Sequence, residues 1–153
     1  MEIALLSSAF VASVVSGFIP FVNAEVVVAG AAVAAPPGYM IPVIAVCSIG
    51  QMIAKVALYA GMRWLPERLP RKATERLERA SERVKKLEQA GLTLVLVSAI
   101  VGLPPFYLIS LAAGAMKLNL TGFIVTGTVG RVIRFAIIAY GAVAAGDAIQ
   151  GTL

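Results

Sequence analysis

Seven charged residues stand apart in this sequence: Glu2, Glu25, Lys55, Lys117, Arg131, Arg134 and Asp147. Glu25, Lys55, Arg131 and Arg134 fall inside apolar stretches, and only there does the composition invite chemistry. An ionisable group within a membrane costs at least about 2.5 kcal/mol on insertion scales, so it normally faces a cavity or a partner. Arg131 and Arg134 are three apart, which places them on one face of a helix. Three cations against one acid leave an excess of two positive charges, a balance that suits a phosphate, whose oxygens accept the guanidinium fork. Asn23, beside the break that precedes Glu25, completes the candidate ligand-binding set of Arg131, Arg134, Lys55 and Asn23, with Glu25 as a proton-sensitive group or charge partner. A second reading has Glu25 locked to one arginine while the other cations snorkel to headgroups.

Other chemistries are poorly supplied. The chain has no histidine and one cysteine, Cys47, so neither a zinc or haem site nor a triad hydrolase is expected, and no intrachain disulfide can form. Ser48 and Lys55 are seven apart with nothing else pointing to hydrolysis. We therefore expect no catalytic residues, no metal and no cofactor. Lys117 reads as an ordinary interfacial lysine and Asp147 as an exposed terminal charge. Gly114 among Ala112, Ala113 and Ala115 reads as a close helix contact, since small residues let backbones approach.

The elements that would position these groups follow from hydropathy. Of 153 residues, 59% are hydrophobic and 14% charged, and the mean hydropathy is +0.91, far from the roughly one-quarter charged residues of a soluble domain. Residues 3–22 carry no charge, but Gly17 and Pro20 interrupt them, and the apolar run 24–35 is about 18 Å long as a helix, too short to cross a core of about 30 Å. Two short limbs around a break predict a re-entrant hairpin over 3–35, and residues 41–61 a transmembrane helix. A matching pattern recurs in residues 91–153: a hairpin over 91–116 broken at Pro104-Pro105, then a crossing over 121–145. Pro20 lies ten residues before Gly30, and Pro104 ten before Gly114. A unit of one hairpin and one crossing must invert its successor, the footprint of an inverted-repeat transporter.

Between the repeats, residues 62–90 change character. From Arg63 to Glu88 there are nine Lys/Arg and five Glu, and Leu69, Ala73, Leu77, Ala80, Val84 and Leu87 form one helical stripe. This is the pattern of an amphipathic helix, with Gly91 as its stop, that packs on the protein or lies on anionic lipid rather than on nucleic acid. The positive-inside rule makes it cytoplasmic and puts both termini outside. A competing reading makes Leu92 to Met116 one Pro-kinked crossing and sends the C-terminus to the cytoplasm.

The fold class is thus all-α integral membrane, an inverted repeat of re-entrant hairpin plus transmembrane helix joined by a cytoplasmic amphipathic helix. Against this frame the segment Phe18-Ile-Pro-Phe-Val-Asn-Ala-Glu-Val-Val-Val-Ala-Gly30 resembles the first hairpin signature of the DedA membrane proteins, also called the VTT or SNARE-associated superfamily. Gly50 to Arg63 is similar to the helix that follows. Gly102-Leu-Pro-Pro-Phe-Tyr-Leu-Ile-Ser-Leu-Ala-Ala-Gly114 is similar to the second hairpin, and Gly130-Arg131 with Arg134 resembles the last helix.

The resemblance covers residues 16–141 and implies a multi-pass plasma-membrane flippase or scramblase of a phosphate-bearing lipid, such as undecaprenyl phosphate or a phospholipid. An anionic lipid or lipid phosphate would be its partner, with homo-oligomers left open. Lys55 stands where many members carry an acid, and the second hairpin lacks the arginine often found after its proline. The alternatives are a proton-linked exporter of small molecules or drugs, and a non-transporting membrane scaffold acting through the charged central helix.

Overall fold

The computed structural model describes residues 2–19, 23–64 and 88–151. Among the described residues there are six helices: α1 (Glu2–Phe18), α2 (Ala24–Ala34), α3 (Met40–Trp64), α4 (Glu88–Val101), α5 (Phe106–Ala115) and α6 (Leu120–Gln150). Only α3 and α6 are long and apolar enough to cross a membrane, at about 37 and 46 Å by helical rise. The charged segment expected to form an amphipathic helix lies outside the described residues from 65 to 87.

Helix boundaries depart from expectation at both edges of that segment. The first crossing runs on past residue 61 to Trp64, where the Arg63 guanidinium reaches back one turn to donate to the Tyr59 hydroxyl at 2.6 Å. Gly91, expected to stop a helix, instead lies inside α4. It is kept small by packing rather than by a turn, because a Cβ there would meet the Leu118 side chain at 3.2 Å.

Two compact units organise the chain: residues 1–54 with 131–153, and residues 55–130. In the first, Ala9, Val28, Ala31, Ala32, Val43, Ile44, Cys47, Phe135 and Ala139 form one buried apolar cluster drawn from α1, α2, α3 and α6. Asn23 caps α2, its side-chain oxygen accepting from the Glu25 N–H at 2.9 Å, a contact worth about 1 kcal/mol to a helix only eleven residues long. The Tyr39 hydroxyl, just past α2, donates to the Glu2 carboxylate at the start of α1. Those two ends can meet only if α1 and α2 run antiparallel.

The second unit is aromatic. Tyr59 and Phe123 stack at 5.1 Å between centroids and Phe106 with Phe123 at 6.2 Å, and all three are buried. Gly114 sits against the main-chain carbonyl of Tyr59, in space that a Cβ would need. The sequence expectation of close helix contact at this glycine is met by backbone-to-backbone approach.

In the same unit Gly91, near the start of α4, lies beside Leu118, three residues past the end of α5. A single kinked crossing would hold those positions about 40 Å apart along its axis. The pair α4 and α5 is therefore folded back on itself, and the Pro-kinked crossing is excluded. Its turn is fixed locally: Gly102 takes φ +84°, the Leu103–Pro104 peptide is cis, and the Ser98 hydroxyl donates to the Pro104 carbonyl at 2.5 Å.

Candidate functional site

The charged residues of the first unit converge from two helices. Capping by Asn23 starts α2 so that Glu25 occupies its first turn, where the helix dipole favours a carboxylate. On α6, Arg131 and Arg134 share a face, and the Arg134 guanidinium makes a salt bridge with the Glu25 carboxylate. The side chains of that pair are 18% and 41% exposed respectively, so the acid is the accessible partner. Arg131 is buried, with its guanidinium carbon 5.6 Å from the Phe135 ring centroid. A cation over an aromatic face is attracted by the ring quadrupole, and desolvation strengthens that attraction. Arg131 also lies within electrostatic reach of both Arg134 and Glu25.

Four of the five residues singled out from sequence, Asn23, Glu25, Arg131 and Arg134, thus belong to the first unit. Asn23 is exposed, and its side-chain oxygen accepts the α2 cap bond. Lys55 is buried and opens the second unit. Around Glu25 the cluster is therefore two cations to one acid, with Glu25 paired to Arg134.

Sequence reasoning missed a polar cluster in the same unit. The buried Gln51 amide on α3 donates to the Ser13 carbonyl at 3.0 Å and to the Ser16 hydroxyl at 2.6 Å. Ser16 donates in turn to the Ser13 carbonyl at 2.9 Å. The signal was available: Gln51 is an amide inside an apolar crossing, where a side chain that cannot reach water must find protein partners. Gln51 ties α1 to α3 and holds the first hairpin limb in place.

The arrangement sets two guanidinium groups, each a planar fork of N–H donors, beside one carboxylate.

Comparison with known proteins agrees with this reading of the helices. The family description for the VTT domain matches residues 19–143. No curated protein matches the chain significantly, and neither does any solved structure. The match covers α2 to α5, most of α6 and every candidate charge, so the chain belongs to the VTT-domain family of DedA/SNARE-associated integral membrane proteins.

Proposed function

We propose that this protein is a flippase or scramblase of the plasma membrane that moves a phosphate-bearing lipid, such as undecaprenyl phosphate or a phospholipid, with α1–α2 and α4–α5 as re-entrant hairpins of an inverted repeat. The observation that carries the proposal is the buried Arg131 beside a salt-bridged Arg134 and Glu25. An arriving phosphate competes with the Glu25 carboxylate for Arg134 while Arg131 supplies a second fork, so binding exchanges one anion for another instead of creating an uncompensated charge. Departure of the lipid lets Glu25 re-form the pair. Protonation of Glu25 would open the same pair without a ligand, which makes it the natural gate. Lys55 is a further candidate contact for the headgroup.

The test is translocation of a fluorescent phospholipid in liposomes. Arg131→Ala and Arg134→Ala should each abolish it while the protein still elutes as a folded species in detergent. Unaltered transport in both variants would sink the assignment.

One observation favours a second reading. Glu25 is more exposed than its partner, as a proton-linked exporter of cations would require. In that case a pH gradient should drive dye efflux that Glu25→Gln removes, with no lipid scrambling by the wild-type protein.

A further inference from the structure

The second unit contains a cleft of about 570 Å³ at the C-terminal end of α3, lined among others by Val56, Tyr59, Arg63, Trp64, Lys117 and Leu118. Its size falls in the range of small-molecule sites. No acidic side chain is among its described lining residues. Its basic groups are Arg63 and Lys117, neither of which belongs to the site above.

The walls hold these cations in place. Tyr59 is buried and donates its phenolic proton to the Leu118 carbonyl at 2.5 Å. Its oxygen therefore faces Arg63 as an acceptor, and Arg63 donates to it at 2.6 Å. That bond uses part of a fork with five N–H donors, and the guanidinium carbon also sits 5.9 Å from the Tyr59 ring centroid. Lys117 has φ +53°, a left-handed conformation that a residue with a Cβ adopts at a cost.

It occupies the position after the C-cap of α5, where the Leu118 N–H returns to the Ala113 carbonyl at 3.0 Å and where glycine is usual. A lysine stands at this left-handed position and lines the cleft. Trp64 is 77% exposed at the end of a crossing helix, where tryptophans settle among lipid headgroups. Val56 and Leu118 make part of the wall apolar.

We propose that this cleft binds a phosphate group joined to an apolar body, with Arg63 and Lys117 holding the phosphate and the Val56–Leu118 wall taking the apolar part. The site is separate from the Arg131 centre and does not depend on the transport reading.

Trp64 is the single tryptophan of the chain, so it reports on the cleft directly. Full-length protein in phosphatidylcholine nanodiscs is titrated with inorganic phosphate, and in parallel the nanodiscs are doped with increasing phosphatidic acid. Trp64 emission is read in both series. A saturable change with phosphatidic acid alone identifies a lipid headgroup as the source, and one with phosphate as well identifies a soluble phosphate compound as a sufficient ligand.

In either case Arg63→Gln and Lys117→Gln should each weaken the response about tenfold. Arg63→Lys, which keeps the charge but loses the fork, should fall between Arg63→Gln and wild type. Lys117 is exposed, so Lys117→Gln keeps the test valid if Arg63→Gln disturbs Tyr59. Emission that responds to neither titration, or a response that both glutamine variants leave unchanged, overturns the proposal.

Discussion

The two units use similar helical parts and hold them together by different physics. In the first, the hairpin carries charge: Glu25 sits in the opening turn of α2 and pairs with Arg134, over a mainly aliphatic core with one phenylalanine. In the second, residues 91–115 contain no charged residue. The offset of 84 places that aligns Gly30 with Gly114 brings Ile109 to the place of Glu25. Stacked aromatics and a glycine set against a backbone carbonyl fix that hairpin, and the cations Arg63 and Lys117 stand at a cleft. An ion pair marks one hairpin and tight apolar packing the other.

The aligned glycines offer the sharpest way to break the comparison. A Cβ at Gly114 would collide with the Tyr59 carbonyl, whereas one at Gly30 meets nothing within 4 Å. Gly114→Ala should therefore cost about 3 kcal/mol, the upper end of ordinary overpacking, because the obstacle is main chain and cannot rotate away. Gly30→Ala should gain roughly 0.5–1 kcal/mol, since alanine loses less conformational freedom on entering a helix. Thermal unfolding in detergent reads both, and equal effects would mean that the hairpins are not packed as described.

Next in size is the charged contact itself. Glu25→Gln, Arg134→Gln and the double variant form a cycle whose coupling should be about 1 kcal/mol, the upper part of the range for partly exposed pairs. A coupling near zero would mean that Glu25 and Arg134 do not hold each other in the folded protein.

Much of this was legible in the sequence for a physical reason. Proline and glycine punctuation acts locally, so Pro104-Pro105 and the run ending at Ala35 marked helix breaks that the structure places between α4 and α5 and after α2. Charges in apolar segments are costly enough to be conspicuous, which is why Glu25, Arg131 and Arg134 stood out before any coordinates.

What could not be read were contacts between residues distant in sequence. Gly91 looked like a helix stop, because only the fold brings Leu118 to it. Arg63 was one basic residue among nine, and only the distant Leu118 carbonyl, which takes the Tyr59 proton, turns the phenol oxygen into its acceptor.

Lys117 sharpens the comparison at a similar energy. Its counterpart at the end of the first hairpin is a Pro36-Pro37-Gly38 turn in which glycine takes φ +88°, while Lys117 takes φ +53° with a full side chain. Lys117→Gly should stabilise the protein by about 1 kcal/mol through relief of the left-handed backbone. The same change should weaken the Trp64 response to phosphatidic acid. Stability and binding moving in opposite directions would identify the lysine as kept for its charge; a loss of both would mean that its side chain supports the fold.

The smallest effect concerns how each hairpin is closed at its base. Gly91 against Leu118 is a packing contact and carries no titration, whereas Tyr39 donating to Glu2 is sensitive to pH. The hydrogen bond and the negative charge of Glu2 both favour the neutral phenol, so Tyr39 ionises above the ordinary tyrosine range. The sign follows: the contact contributes fully below the ordinary tyrosine pKa of about 10 and is lost as pH rises through the higher folded value. Glu2→Gln should return the Tyr39 midpoint toward about 10 in an absorbance titration of phenolate. Superimposable curves for the two proteins would show that the first hairpin is closed without this bond, leaving apolar packing as the common device in both units.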